Sequence, residues 1–423
     1  MSMLSEIENQ ILRGISAAKA YQHVENICRF GNRLTGSEAD NKAADYFAAT
    51  CSEYGLYTYF EEFETDCFEP IAGELSVVEP ESKNIKYIPM RFSPSTSKEG
   101  ITSELVDVGA GKEEDYREKD TKNKIVLLTR GFEETNFLSE ICIASKHGAS
   151  GVIVANYESW PHHGVLEPEL FELEKRLLPI EPNPIPAINI SLEDGQYLRE
   201  CLLKYEKVKM RLRLQAITEK RVTQNVRCLL PGTMLPEERV ILGAHHDTEN
   251  TPGADDNASG LGVLLEIARV LSTHPCKRTI EFYSPGCEEG RSIGSWEYCK
   301  RHKSDLRNIV AFINVDMVGG GGDLCIITEG RWPDKKIITP EWLCLFVDKV
   351  AKELNYKTKF AANDIGTSDE GRFIDAGVPA VFLWKPCDVH YHSMLDTPEY
   401  VDPNSLKVVG EISGLAAWRL ANR

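Results

Sequence analysis

Apolar and polar positions recur with different periods along the chain and divide it into three stretches. In the first 68 residues, apolar positions recur at helical spacing, as at Ile7, Ile11 and Ile15. The run GNRLTGS at 31–37 separates two helical patterns, and residues 58–63 alternate as a strand does. This stretch has too few apolar positions for a core of its own, so we expect it to pack against a later part of the chain.

Residues 69–215 have a different pattern of turns and short apolar runs. One helical pattern, at 138–147, lies among turns rich in proline, glycine and aspartate, and proline-rich residues 161–186 indicate a long irregular loop. His162 and His163 are the only candidates for chemistry here, and an adjacent pair of this kind is typical of a solvated loop. The pattern of residues 69–215 predicts a β-rich domain. Its strand-like runs lie at 75–78, 124–129, 151–155, 187–190 and 208–214.

From residue 216 to the end, strand and helix patterns alternate. This alternation predicts an α/β fold with a mixed, mostly parallel central sheet and helices on both faces. In such folds functional side chains gather at one edge of the sheet, from the ends of several strands. The predicted strands include 240–243, 279–284, 308–315 and 380–383, and the predicted helices are 259–272, 292–302, 340–354 and 405–421.

Length and charge narrow the classes of protein to which the chain belongs. A chain of 423 residues exceeds one common domain, so we expect two domains, one inserted in the other. Its 65 acidic residues outnumber 48 basic ones, and a net charge of −17 would repel nucleic acid and anionic membranes. No apolar run reaches the roughly 18 residues of a membrane span, so no membrane partner is expected.

The amino-terminal segment and the cysteines indicate a compartment. The segment MSMLSEIENQILRG interrupts its apolar residues with acids and is unlike a secretory signal. The 12 cysteines show no C-x-x-C spacing, which favours buried thiols over a disulfide framework or a sulfur-ligated zinc. These features predict a cytoplasmic protein, unless a leader has been removed from the sequence.

The strand end that follows residues 240–243 carries two histidines and an aspartate. Successive side chains of an extended backbone point to opposite faces, so His245 and Asp247 share one face and His246 lies on the other. This arrangement fits a metal ligand with the carboxylate that orients its second ring nitrogen. A solvated strand end would explain the same residues.

Further acids stand at other predicted strand and helix ends. Asp255 and Asp256 directly precede a helical pattern, where one carboxylate can bind a metal while its neighbour caps the helix. Glu288 and Glu289 follow a buried strand, and two adjacent acids there need a cation or a shared proton unless both are solvated. Asp316 ends another apolar strand, either as a ligand or as a cap.

A fourth strand end carries His390, Tyr391 and His392. Each strand end alone is weak evidence for a metal site. Together, two histidines and three carboxylates match the needs of two borderline divalent ions that share a bridging carboxylate. One more glutamate is then left to transfer a proton.

These motifs resemble the co-catalytic di-zinc exopeptidase family, which includes secreted bacterial aminopeptidases, glutamate carboxypeptidase and, with one zinc, glutaminyl cyclase. The resemblance covers residues 1–68 and 216–423 and implies a discontinuous catalytic domain of the zinc exopeptidase, phosphorylase/hydrolase-like fold. Residues 69–215 resemble an inserted protease-associated (PA) domain. That likeness rests on KIVLLTRG at 124–131, HGASGVI at 147–153 and IPAI at 185–188.

The resemblance implies a metal-dependent exopeptidase, most simply an aminopeptidase for small peptides. Hydrolysis would proceed by attack of a water that bridges two zinc ions, with cobalt or manganese as other candidates. Glu288 would be the general base, Asp247 would orient a histidine ligand, and Tyr391 would stabilise the tetrahedral oxyanion. The implied metal ligands are His245 and Asp316 for one ion, Glu289 and His392 for the other, and Asp256 as the bridge.

The run at 368–379 departs from the aminopeptidase pattern and leaves alternatives open. Glu370 stands where a histidine is usual, and an added acid would favour a free amino terminus as substrate. Arg372 would instead recognise a carboxylate, and loop salt bridges would explain both residues equally well. The alternatives are therefore a carboxypeptidase or dipeptidase, or a non-catalytic peptide-binding protein on the same fold. The inserted domain would shape the site entrance or support a homodimer.

Overall fold

The computed structural model describes residues 4–129, 138–157, 185–332, 335–363, 367–386 and 390–423. Two compact units are present, one of residues 1–65 with 220–423 and the other of residues 66–219. The pair His162 and His163, and most of the loop predicted around it, lie outside the described residues.

The helices and strands of the described residues are numbered in chain order. The helices are α1 (Glu6–Gly14), α2 (Ala17–Cys28), α3 (Glu38–Glu53), α4 (Leu138–Lys146), α5 (Leu192–Lys204), α6 (Gly260–Leu271), α7 (Ile293–Arg301), α8 (Glu341–Glu353), α9 (Glu370–Asp375) and α10 (Pro403–Asn422). The strands are β1 (Tyr57–Glu79), β2 (Lys83–Asn84), β3 (Ile88–Pro89), β4 (Ile101–Asp107), β5 (Ile125–Thr129), β6 (Gly151–Ala155), β7 (Ala187–Ile190), β8 (Lys209–Leu230), β9 (Leu235–Gly243), β10 (Arg278–Ser284), β11 (Ile309–Val315), β12 (Leu324–Trp332), β13 (Lys335–Ile338), β14 (Thr358–Ala362) and β15 (Ala380–Trp384).

The first unit is built on a mixed sheet with the order β13-β12-β15-β11-β9-β10-β8. Its four central strands, β15, β11, β9 and β10, are parallel, so their carboxyl ends share one edge. Antiparallel pairs of β12 with β15 and of β8 with β10 flank them. The predicted fold class, a mixed and mostly parallel sheet, is confirmed.

Apolar side chains of β9 alternate between the two faces of this sheet. Val240 and Leu242 belong to a buried cluster that contains residues of α1, α2, α3, α6, α8 and α10. Ile241 belongs to a second cluster, with residues of α7 and α9. Helices therefore cover both faces, and the strand is buried on each side as its continuous apolar run predicts.

The amino-terminal helices complete the first of these clusters. Ile11, Val24 and Phe47, from α1, α2 and α3, are fully buried in the same cluster as the sheet residues. Each helix begins at a serine, and the side chain of Ser37 accepts a hydrogen bond from Asp40 N at the start of α3. The first stretch of the chain thus folds against a sheet that lies more than 150 residues later in the sequence.

Residues 66–219 form a unit with its own sheet. Strands β4, β5, β6 and β7 are parallel neighbours in this order, and β3 pairs antiparallel with β7. One apolar cluster contains Val126, Leu128 and residues of α4, and another contains Ile125, Leu127 and residues of α5. The inserted domain therefore has a core on each face of its sheet.

Helix α5, within the described part of this unit, is a helix that the sequence pattern does not predict. The buried stripe of α5 consists of Gly195, Leu198 and Cys201 alone. A Cβ at Gly195 would approach Ala155 Cβ to 2.5 Å, so the helix packs closely on β6 at a residue that has no side chain. A stripe this narrow gives little hydrophobic periodicity, although Ser191 supplies an N-cap.

Close packing at the end of β9 gives a test of the core. A methyl group at Gly243 would approach Phe312 Cε2 to 2.3 Å, so we expect Gly243→Ala to lower the free energy of unfolding by about 1–3 kcal/mol. Gly321→Ala is the control, because no heavy atom lies within 4 Å of the added carbon, and a change within about 0.5 kcal/mol is expected. Urea unfolding of both variants measures the difference, and equal midpoints would contradict the packing argument.

Candidate active site

Three side chains from separate elements meet just beyond the carboxyl ends of β9 and β11. His245 Nε2 lies 3.1 Å from Asp256 Oδ1 and 3.4 Å from Asp316 Oδ1. His245 follows β9, Asp316 follows β11, and Asp256 lies in the turn that leads into α6. All three residues are buried, and they form a group that could hold one metal ion.

A second group uses the other oxygen of the same aspartate. His392 Nε2 lies 3.2 Å from Asp256 Oδ2 and 3.1 Å from Glu289 Oε2. Asp256 therefore presents one carboxylate oxygen to each histidine, which is the arrangement a bridging ligand requires. Each group offers one imidazole nitrogen and carboxylate oxygens, a donor set that suits zinc and similar borderline divalent ions.

The electrostatics of these groups also fit a cation. Asp256, Glu288, Glu289 and Asp316 line one cavity of about 190 Å³, and no lysine or arginine lines it among the described residues. Burial, with the charge of Asp256 nearby, raises the pKa of Glu289 to about 7 in the absence of a cation. His245 Nε2 and Asp316 Oδ1 are buried and lie 3.4 Å apart without hydrogen-bond geometry between them.

Glu288 lies beside the two groups and belongs to neither. It lines the cavity, and its carboxylate Oε1 accepts a hydrogen bond from Ser292 Oγ at 3.3 Å. Burial raises its pKa well above the usual range, with further contributions from Asp369 and Asp316. A carboxyl group with a raised pKa in a cleft has the properties of a proton-transfer residue.

Asp247 organises the neighbouring turn as well as the first histidine. His245 Nδ1 lies 3.1 Å from the main-chain oxygen of Asp247 and 3.6 Å from its carboxylate. The same carboxylate accepts hydrogen bonds from the main-chain N–H groups of Glu288, at 2.9 Å, and Glu289, at 3.3 Å. It also accepts one from Thr35 Oγ1, at 3.0 Å. One buried side chain thus fixes the main chain of two candidate site residues.

His246 points away from the cavity, as strand alternation predicts. Its Nδ1 lies 2.9 Å from Ser284 Oγ, and its Nε2 lies 3.3 Å from Asp40 Oδ1. Burial lowers the pKa of His246 to about 4, so the ring is neutral at physiological pH. The fully buried ring supports the strand end and is absent from both candidate metal groups.

Tyr391 stands at the cavity wall beside the second histidine. Its ring stacks on that of His392 with centroids 3.8 Å apart. Burial raises the pKa of the phenol well above its usual range, so the hydroxyl keeps its proton. The cavity is therefore lined at this point by a neutral phenol.

Several non-glycine residues next to the site have left-handed backbone conformations. Cys287, Met317 and His392 have φ angles of 57°, 51° and 52°. Such conformations cost about 1–3 kcal/mol each and persist where surrounding contacts impose them, often at active sites. Here they redirect the chain at three of the four segments that supply candidate ligands.

Arg33 supports the site, and sequence reasoning did not identify it. The side chain is fully buried, and its guanidinium donates to the main-chain oxygens of His246 (2.8 Å), Pro252 (2.7 Å) and Gly253 (2.9 Å). It thereby holds the segment between His245 and Asp256. The only signal in the sequence is its place in the run GNRLTGS, which by itself predicts a turn.

The divergent run 368–379 begins at the cavity wall with Ser368. Ser368 Oγ donates to Asp316 Oδ2 at 2.6 Å, and Asn314 Nδ2 donates to Ser368 Oγ at 2.9 Å. Glu370 is buried and accepts from the Ser368 main-chain N–H at 3.1 Å. Arg372 Nη2 donates to the main-chain oxygen of Arg291 at 2.7 Å. Neither Glu370 nor Arg372 is part of the described cavity lining.

The described cysteines are all thiols, most of them buried. Among the helices that the structure describes, none combines the length and apolarity that a membrane span requires.

Comparison with known proteins shows which families the chain resembles. Residues 225–417 match peptidase family M28, and residues 101–198 match the PA domain. The aminopeptidase YwaD of Bacillus subtilis is 25% identical over 425 residues, which cover 96% of this chain and 85% of that protein. Carboxypeptidase Q of Xenopus laevis is 25% identical over 410 residues, which cover 93% of this chain and 83% of that protein.

Solved structures share the fold over nearly the whole chain. An aminopeptidase from Aneurinibacillus sp. strain AM-1 has a TM-score of 0.73 at 25% identity, covering 98% of this chain and 96% of that one. A zinc aminopeptidase from Bacillus subtilis has a TM-score of 0.77 at 24% identity, covering 97% and 96%. The predicted resemblance is confirmed: the chain matches peptidase family M28 over residues 225–417 and is a metallopeptidase with an inserted PA domain.

Proposed function

We propose that this metallopeptidase is an aminopeptidase that uses two zinc ions to release amino-terminal residues from small peptides. The observation that carries the proposal is the pair of histidine–carboxylate groups that share Asp256. Similarity to an aminopeptidase over 96% of the chain supports the reaction, and similarity in fold to a zinc aminopeptidase supports the metal. The thiol state of the described cysteines supports a reducing, cytoplasmic location.

The proposed metal ligands follow from the two groups. His245 and Asp316 would hold one ion, Glu289 and His392 the other, and Asp256 would bridge them. Bound zinc would supply Lewis acidity, which lowers the pKa of a water molecule and polarises a carbonyl. The charges also balance, because two dications offset the four carboxylates that line the cavity.

Protein side chains would carry the proton and orient the substrate. Glu288 would accept a proton from the attacking water and deliver it to the leaving amine, since its carboxylate faces the cavity and lies outside both metal groups. The phenol of Tyr391 would donate a hydrogen bond to the oxyanion that forms at the scissile carbonyl. Asp247 would hold the turn that carries Glu288 through its hydrogen bond to the Glu288 main-chain N–H.

The remaining walls of the cavity indicate how the substrate is held. Met317, Phe382 and Trp384 supply an apolar wall, with Asn363 and Thr367 beside it. The Phe382 and Trp384 rings lie nearly parallel, with centroids 6.4 Å apart, and would accept an uncharged side chain of the substrate. The acidic surroundings favour a substrate ammonium group over a carboxylate, which supports attack at the amino end.

A carboxypeptidase is the second candidate, because carboxypeptidase Q is as similar in identity as the aminopeptidase. Its proposed recognition element from the sequence, Arg372, donates to the main-chain oxygen of Arg291. That contact directs at least part of the guanidinium to the main chain behind the cavity. The aminopeptidase therefore remains the proposal that the site geometry favours.

Peptides blocked at one end test whether the enzyme attacks the amino end or the carboxyl end of its substrate. For tripeptides with an apolar first residue, we expect amino-terminal acetylation to abolish cleavage and carboxyl-terminal amidation to leave it intact. Mass spectrometry of the products identifies the released residue. Loss of cleavage on amidation alone would instead establish a carboxypeptidase, and cleavage restricted to dipeptides would establish a dipeptidase.

Replacement of the proposed base tests the catalytic role of Glu288. Glu288→Gln removes a proton acceptor without removing a proposed ligand, so we expect kcat to fall by about 10²–10⁴-fold with two zinc ions still bound. Glu297→Gln on α7 is the control, because that acid pairs with Lys300 and lies outside the cavity. Turnover and zinc content are measured on the same preparations, and near-normal turnover in Glu288→Gln would refute the assignment.

Truncation of the apolar wall tests substrate preference. We expect Trp384→Ala to lower kcat/KM about tenfold or more for peptides that begin with leucine or phenylalanine, and much less for those that begin with alanine. The smaller effect follows because alanine makes few contacts with this wall. Trp296→Ala removes an exposed tryptophan from α7 and should change neither value. Equal losses on all three peptides would show that Trp384 does not select the first residue.

A further inference from the structure

Asp396 contacts the main chain of the turn that carries the shared ligand. Its side chain is almost fully buried, with 2% exposed, and lies four residues after His392. Asp396 Oδ1 accepts a hydrogen bond from Asp255 N at 2.7 Å, and Oδ2 accepts one from Asp256 N at 3.1 Å. Its main-chain oxygen accepts a third from Ala254 N at 3.2 Å. One residue thus binds three successive N–H groups.

The positive charge of Arg33 binds main-chain carbonyl groups of the same turn, whereas Asp396 binds its N–H groups. Arg33 donates to the main-chain oxygens of Pro252 and Gly253, immediately before the three N–H groups that Asp396 binds. Asp256 itself has non-helical angles, φ −109° and ψ 91°, so the helix that follows does not set its conformation. The guanidinium and the carboxylate together determine where the Asp256 main chain lies.

Asp396 itself belongs to the segment that carries His392, and further hydrogen bonds fix its place there. Ser393 N and Ser393 Oγ both donate to the main-chain oxygen of His390, and Asp396 N donates to the main-chain oxygen of Ser393. These bonds close a tight turn over residues 390–396. A displacement of Asp396 would therefore move His392 relative to Asp256, the two residues whose side chains approach to 3.2 Å.

We propose that Asp396 is a positioning residue that sets the spacing between Asp256 and His392 and so couples the two metal groups. The proposal rests on the two-metal ligand set of the proposed function, and it does not depend on which peptide bond is cleaved. Asp256 would hold an ion at either group, and the carboxylate of Asp396 joins the main chain of Asp256 to the segment that carries His392. The second ion should therefore bind more tightly when Asp396 is intact.

A carboxylate is required for this role because two N–H donors need two acceptor oxygens. Asparagine offers one acceptor, and its NH₂ group would face the main-chain N–H whose acceptor oxygen the substitution removes. A side chain whose only task was to fill space would not need two acceptors. Outer partners of metal ligands typically change metal affinity by about 10–100-fold when they are replaced.

The test is a zinc titration of the metal-depleted full chain, with a chromogenic chelator as competitor. For the native chain we expect two equivalents. For Asp396→Asn we expect the dissociation constant of the weaker equivalent to rise about 10–100-fold, and the first equivalent to change less. Asp348→Asn is the matched control, since this buried acid on α8 accepts from Thr358 Oγ1 and Lys352 Nζ, both at 2.6 Å, away from the site.

The melting temperature and the peptidase activity of each variant are measured separately from zinc binding, so that a loss of stability is distinguished from a loss of metal affinity. A purely structural role would lower the melting temperature of Asp396→Asn and leave both zinc affinities native, and this result would overturn the proposal. If Asp396→Asn does not fold, Asp396→Glu keeps both oxygens at a longer reach and should still weaken the second ion. A native chain that binds only one ion would also overturn it. Two tightly bound ions without peptidase activity would reject the aminopeptidase and leave the role of Asp396 standing.

Discussion

Four carboxylates that share one small cavity repel one another, and the arrangement of the site follows from this constraint. Asp256, Glu288, Glu289 and Asp316 come from three separate segments of the chain and still line the same space. Burial weakens the screening by water, so these charges require compensation from cations or shared protons. Binding of divalent ions would therefore contribute to the stability of the folded site as well as to its chemistry.

The parallel sheet is what brings these groups together. Strands β9, β10, β11 and β15 run in one direction, and each is followed by a segment that carries a histidine or an acid. The sheet fixes where each strand ends, but it does not fix the loops beyond. Buried charges do that: Arg33 binds carbonyl groups, whereas Asp247 and Asp396 bind N–H groups. The main chain of the ligand segments is thus held independently of any metal.

The fold is common to relatives whose names specify opposite ends of the peptide, so it cannot determine which end is attacked. That choice depends on the cavity walls and on charges near the substrate. In this chain the apolar wall of Met317, Phe382 and Trp384 stands beside an acidic centre. Arg372, the residue that the sequence offers for carboxylate recognition, donates to a main-chain oxygen of Arg291.

Sequence patterns predicted most of the helices and the central strands, together with the residue types of the candidate site. Continuous apolar runs predicted the central strands, and residue types at their ends predicted a site with nitrogen and oxygen ligands. Strand alternation separated His245 from His246, because extended backbone directs neighbouring side chains to opposite faces. Helix α5 escaped prediction, because its narrow buried stripe includes a glycine and leaves almost no periodicity.

Only the tertiary structure determined the contacts between residues that lie far apart in the chain. Asp255 and Asp256 are equivalent by pattern, yet the turn sends one carboxylate to the Gly319 N–H and the other between two histidines. Arg33 and Asp396 are separated from the turn they hold by about 220 and 140 residues. Periodicity reports only local backbone geometry. Which distant carbonyl or N–H group a charged side chain reaches is determined by how the sheet and its helices pack.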